Sequence, residues 1–177
     1  MNQQTDRREE ILNATRTRTF TWEDPHKLFG IARTMSGLEL MRKMMGGEIR
    51  LPPIMELVDF RLRRVDPGEV DFVFMPQEFH FSPIGTVHGG IACTLLDSAM
   101  SCGVYAAIPA GAAFTTLQLN VNLIRPITLE SGELRCEGKV AHLGARTATA
   151  EARLVDSGGR LYAHSSTTCM IFPATSK

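Results

Sequence analysis

Hydrophobic residues in this chain alternate with polar ones in two groups of segments, and one long apolar run separates the groups. In the first group Phe60, Leu62 and Arg64 alternate with Arg61, Arg63 and Val65. After Asp66-Pro67-Gly68-Glu69, Val70, Phe72 and Phe74 alternate with Asp71, Val73 and Met75. A period of two predicts strands, and the Pro-Gly segment between them predicts a turn, so these residues read as a hairpin. The second group has four strands. Leu117, Leu119, Val121 and Leu123 alternate with Thr116, Gln118, Asn120 and Asn122. Leu134 to Val140, Ala148 to Leu154 and Leu161 to Ile171 follow, with turns at Gly144-Ala145 and Asp156-Ser157-Gly158-Gly159. Between the groups, Gly89 to Ala107 has only Thr94, Asp97, Ser98 and Ser101 as clearly polar members. Its length predicts a helix, and apolar residues on nearly all sides predict a core helix.

The order is strand, strand, buried helix, then four strands. Hairpin connections make the sheet mostly antiparallel. A curved sheet wrapped round the helix supplies most of its cover, and a second copy of the chain can bury what remains. The fold class is therefore α+β, in the arrangement called the hotdog fold, with one long buried helix and an N-terminal helical extension. Residues 1–50 form that extension and 51–177 the main domain. Arg7 to Arg18 is polar and expected to be frayed or loosely docked. Asp24-Pro25 starts a helix through Ala32. Ser36 caps a second helix, with Glu39 completing a capping box and Gly46-Gly47 ending it. Leu38, Met41, Met44 and Met45 mark its apolar side and are candidates to cap a substrate tunnel or extend an oligomer. Ile54 to Leu57 forms one further helical turn after Leu51-Pro52-Pro53.

The chain has 177 residues, formal net charge zero and a sequence pI near 7.0. Nothing in that balance favours nucleic acid or an anionic membrane as partner. No run is read as the ~18 to 20 apolar residues of a membrane span, and the first ten residues lack an apolar signal region. Cys93, Cys102, Cys136 and Cys169 are scattered without a CxxC pair, so they read as small buried hydrophobes in a reducing compartment. The expectation is a soluble cytoplasmic protein without a metal site.

From Phe79 to Ile124, Asp97 is the only charged residue among Lys, Arg, Asp and Glu. An isolated carboxylate in such surroundings is costly to desolvate, which makes it a candidate for chemistry. It lies nine residues after His88 in Gly85-Thr86-Val87-His88-Gly89-Gly90. That motif, with Thr115-Thr116-Leu117-Gln118-Leu119-Asn120-Val121-Asn122-Leu123-Ile124-Arg125-Pro126, resembles the PaaI-like branch of hotdog acyl-CoA thioesterases over roughly residues 54 to 172. The resemblance implies hydrolysis of acyl-CoA without metal, redox cofactor or serine nucleophile; CoA enters only as part of the substrate. It implies a homodimer or dimer of dimers, with the site between protomers. The backbone N–H at Gly89 would polarise the thioester carbonyl. Asp97 of the partner would act as general base or nucleophile, and Thr116 would help to hold the water or the carboxylate. The family usually carries Asn three residues before Gly85, where this chain has Ser82, which offers one rotatable hydroxyl in place of an amide.

The residues themselves support part of this. A helix N-terminus offers free N–H groups and a positive dipole end, and Gly89 and Gly90 let a substrate approach the backbone. Eight residues of helix separate Gly89 from Asp97 by ~12 Å, too far for both to reach one carbonyl carbon. Two antiparallel helices from two protomers can bring them together, giving two equal sites. His88 is a candidate base or a loop-bonded neutral imidazole. Arg125 and Arg146 are candidates for CoA phosphates or are solvated surface charges. Two rival readings stand beside hydrolysis. One is a hydratase or dehydratase using His88 and Asp97. The other is a non-catalytic acyl-CoA-binding or regulatory module, which the Ser82 departure favours.

Overall fold

A computed structural model describes residues 14–172 and Ala174. The start of the Arg7 to Arg18 stretch and the first ten residues lie outside the described part. Three helices come first: α1 (Pro25–Ala32), α2 (Gly37–Met45) and α3 (Pro53–Val58). The hairpin β1 (Phe60–Asp66) and β2 (Glu69–Phe74) follows, then a 3-10 turn at Glu78–His80 and the long helix α4 (Gly89–Ala107). The chain ends in β3 (Ala113–Leu123), β4 (Leu134–Leu143), β5 (Thr147–Asp156) and β6 (Leu161–Phe172). All six strands form one antiparallel sheet in the order β1-β2-β4-β5-β6-β3, with β1 and β3 at its edges. Helix α4 lies across the concave face, chiefly on β4 with β2 and β5 beside it. This is the hotdog arrangement expected from the sequence.

Helix α4 buries Ala92, Leu95, Leu96, Ala99, Met100, Gly103, Val104 and Ala106. Its polar members Thr94, Asp97, Ser98 and Ser101 are all half-buried, along with Cys93, Cys102 and Tyr105. By length and apolar content it would pass for a membrane span, contrary to the sequence reading, yet the sheet covers its apolar side. The approach to β4 is close. A Cβ on Gly138 would stand 2.4 Å from the Ala99 backbone.

Two strand expectations are corrected. The alternation in β1 breaks at a bulge between Leu62 and Arg64, so Phe60 and Val65 both face the core. In β3 a bulge between Thr116 and Gln118 makes Leu117 an inserted residue. Leu117 is 55% exposed, and Thr116 takes the inward place opposite Cys169.

Three expectations for the extension also change. In α2 the buried residues are Gly37, Leu40, Met41 and Met44, while Met45 is exposed. The helical period selects Leu40 at i+3 from Gly37 and puts Met45 outside the stripe. Met41 belongs to the main core and α2 packs on α4 and β1, so these residues serve the core directly. The Ser36 hydroxyl accepts the Glu39 N–H at 3.2 Å. The reciprocal bond of a capping box is not formed among the described residues. Arg18, expected to be loose, donates to the carbonyls of Glu56 (2.8 Å) and Leu57 at the end of α3.

Gly138→Ala is expected to cost about 1–3 kcal/mol through overpacking against Ala99. Gly30→Ala, in α1 with nothing near its Cβ position, should instead be neutral or stabilising by up to ~1 kcal/mol. Urea unfolding of the two variants checks both.

Candidate active site

The start of α4 is built by its capping residue. His88 has extended backbone geometry, and its Nδ1 accepts the Gly90 N–H at 2.9 Å. The Ile91 N–H goes to the His88 carbonyl at 2.9 Å. The Gly89 N–H has no acceptor among the described residues. It lies at the positive end of the helix dipole, where an oxyanion is stabilised. A Cβ on Gly89 would lie 2.8 Å from Leu123 Cδ1, so glycine lets Leu123 of β3 pack over the helix start.

Gly89 lines a cleft of about 490 Å³. Ser82, Gly89, Ile124 and Arg125 line it, with Ile84 and Ile127 among its apolar walls. The cleft is therefore apolar, with one cation at its rim. Arg125 is exposed and held by its Nε donating to the Leu161 carbonyl at 3.1 Å. Ser82 spends its hydroxyl on its own loop, donating to the Thr86 carbonyl at 3.0 Å. Gly85, at φ 78°, makes that loop's turn.

Asp97 does not line this cleft. It sits half-buried midway along α4, where Thr116 Oγ1 donates to its Oδ1 at 3.0 Å. The β3 bulge places that hydroxyl. The second carboxylate oxygen has no partner among the described residues. Burial, with the Asp97 charge adding to it, pushes the nearby Cys102 thiol up to about 12. Burial also raises the Cys169 thiol; hydrogen bonds with Thr116 and Thr167 oppose that rise, and the Asp97 charge adds to it.

The predicted site residues thus fall into three places. Ser82, His88, Gly89, Gly90 and Arg125 gather at the start of α4. Asp97 and Thr116 pair near its middle. Arg146 stands apart, exposed at the other end of the sheet. It precedes Thr147, which faces Met170, whereas Arg125 follows Leu123, which faces Ala163. One residue near the site escaped the sequence reading. His80 is buried, and its carbonyl accepts the His88 N–H at 2.8 Å. Its only sequence signal is the three-residue spacing from Gln77, whose backbone N–H it holds.

Residues 84–163 match the thioesterase superfamily. A Halobacterium salinarum protein named as a presumed esterase is 38% identical over 73 residues, covering 40% of this chain and 46% of that relative. The match therefore spans about half the length of that relative. Among solved structures, one from Ralstonia eutropha JMP134 is named as a presumed thioesterase related to phenylacetic acid degradation. It is 27% identical, with a TM-score of 0.66 over 73% of this chain and 98% of that one. The E. coli PaaI protein from the phenylacetic acid degradation operon is 15% identical. It superposes with a TM-score of 0.67 over 76% of this chain and 95% of its own, a likeness of fold.

Thiolate is the reactive form of cysteine, so raised thiols react slowly. A thiol reagent at about pH 8 is expected to label Cys102 and Cys136, the latter raised chiefly by burial, only after denaturation. Mass spectrometry of labelled peptides reads the result.

Proposed function

We propose, for a chain that is a PaaI-like hotdog member of the thioesterase superfamily, that it hydrolyses acyl-CoA thioesters to free acid and CoA in a homodimer. Each site joins the Gly89 N–H of one protomer to the Asp97 carboxylate of the other. The observation that carries this reading is the division of groups along α4. At one end an unspent N–H donor belongs to Gly89, which lines an apolar cleft. A carboxylate, oriented by Thr116 and with one oxygen open, waits ~12 Å along the same helix. A single protomer keeps the two groups apart, and a two-fold pairing of antiparallel helices closes the gap at two equal sites.

As general base, Asp97 takes a proton from water while the water oxygen attacks the thioester carbonyl carbon. The oxyanion then accepts the Gly89 N–H, a contact worth about 3 kcal/mol in acyl-transfer sites. Collapse breaks the C–S bond, and the proton on Asp97 passes to the leaving thiolate. As nucleophile, the Asp97 carboxylate would attack the carbonyl carbon and expel CoA as thiolate with cleavage of the C–S bond; water would then open the resulting anhydride, releasing the free acid, restoring Asp97 and supplying the proton that the thiolate takes up. Thr116 holds the carboxylate by donating to Oδ1. His88 shapes the donor by consuming the neighbouring Gly90 N–H. Arg125 at the cleft rim suits a phosphate of CoA.

Asp97→Asn is expected to lower kcat by about 10²–10⁴-fold in a thiol-release assay over a panel of acyl-CoAs. Thr116→Val should lower it less. Wild-type turnover by Asp97→Asn would remove the assignment. Mixing Asp97→Asn and Gly89→Val protomers tests the shared site. Random pairing places one intact site in half of the dimers and restores about a quarter of wild-type activity. No restoration in a mixture shown to exchange subunits would mean that each site lies within one protomer.

A further inference from the structure

His80 is the only buried histidine among the described residues, at 3% exposure, and the mechanism above does not use it. Both ring nitrogens are committed. Nε2 donates to the Val58 carbonyl at the end of α3 at 2.8 Å, and Nδ1 accepts the Gln77 N–H at 3.0 Å. A carbonyl only accepts and a backbone N–H only donates, so this pair of bonds requires the neutral imidazole with its proton on Nε2. The ring packs between Phe74 and Phe79, with centroids at 4.8 and 4.1 Å.

The same residue is tied to the helix start. The His80 carbonyl accepts the His88 N–H, and Phe81 bridges to Val87 beside it. His88 then caps Gly90 and leaves the Gly89 N–H free. From behind, the N-terminal segment braces the turn. The Arg18 guanidinium lies 4.0 Å from the Phe79 ring centroid and also donates to the carbonyls just before Val58. Arg16 pairs with Glu78 at 2.6 Å.

We propose that His80 is a positioning residue for the Gly89 donor: its neutral ring fixes the 77–80 turn from which the start of α4 is hung, and protonation of the ring releases that turn. The proposal rests on the reading of Gly89 as the oxyanion donor. A protonated ring cannot accept the Gln77 N–H, so the turn loses a bond when the ring is charged. Burial holds His80 below the ordinary histidine range. The Val58 carbonyl opposes this, Arg18 adds to it and Asp59 opposes it. The charged side chains near the turn are paired, Glu78 with Arg16, and Asp59 with Arg61 and Arg18; the other titratable ring there is His88, which faces the helix start and accepts the Gly90 N–H. With the folded value depressed, the contribution of the neutral ring is complete above the ordinary value of about 6.5 and is lost as pH falls through the folded value.

The test begins with NMR of the wild-type protein between about pH 7.5 and 5. The amide signals of Gln77, His88 and Gly89 are expected to follow the titration of the His80 ring, tracked by its own ring signals apart from those of the His88 ring, whose Nδ1 holds Gly90. A Gly89 amide indifferent to that titration would overturn the proposal, whether or not any thioester is hydrolysed. Turnover gives a second measure. His80→Gln can keep both bonds, accepting from Gln77 and donating to Val58. It should hold kcat near neutral pH and lose the step that His80 contributes to the acid limb. His80→Leu keeps the bulk but neither bond. It should lower kcat about tenfold or more, as a small misplacement of catalytic groups does, with KM little changed. An acid limb in His80→Gln unchanged from wild type, or wild-type kcat in His80→Leu, would also overturn it. Absence of turnover in the wild type, with the NMR coupling intact, would count against the proposed reaction alone.

Discussion

Helix α4 lies against β4 at a separation that depends on glycine. At Gly138 the strand backbone meets Ala99 with no room for a side chain. That contact sets the depth of the helix in the sheet, and the helix carries both groups on which the proposed chemistry rests. Deep seating buries Leu95, Leu96, Met100 and Val104 completely against a sheet face that carries Phe72, Phe74 and Leu134. It also leaves the opposite flank of the helix only half-covered. The apolar core and the unfinished site are two results of one packing distance.

The half-covered flank holds every clearly polar member of the helix. In a fully buried helix each of those groups would need a partner within the chain. Asp97 finds one in Thr116, and Ser101 bonds to the Ser98 carbonyl one turn back at 3.4 Å. The far end of that flank, at Tyr105, is covered by Gly37 of α2 and by Phe114, which leaves the stretch from Ile91 to Ser101 as the part open to a partner. The proposed pairing with a second copy gives that stretch a purpose. It also accounts for a cleft at Gly89 that contains no acid of its own.

Much of this was legible from periodicity. The long apolar run could only be a core helix, and all six strands followed from alternation and turn residues. The bulges were not legible. Thr116-Leu117-Gln118-Leu119 looks like unbroken alternation, because an inserted leucine has the character of an inward residue. The link from Thr116 to Asp97 was accordingly expected only by resemblance, and the bulge supplies its physical cause. The buried stripe of α2 was misread because nine residues admit more than one apolar face until the partner surface is known. His80 was missed for a different reason: beyond its spacing from Gln77, its partners are the Val58 carbonyl and the Gln77 amide, and backbone groups leave no mark in a sequence.

The two outermost strands, β1 and β3, each carry a bulge, at Arg63 and at Leu117. An open edge is a template on which foreign chains can stack, and a long flat one invites fibril growth. An extra residue bends the ladder and cuts the free row of amides into short pieces. Arg63 adds charge along the first of these borders, and Arg61 and Arg64 are held there in ion pairs with neighbouring carboxylates. The irregularity that turns Thr116 toward the acid therefore also guards a sheet-rich protein against runaway aggregation.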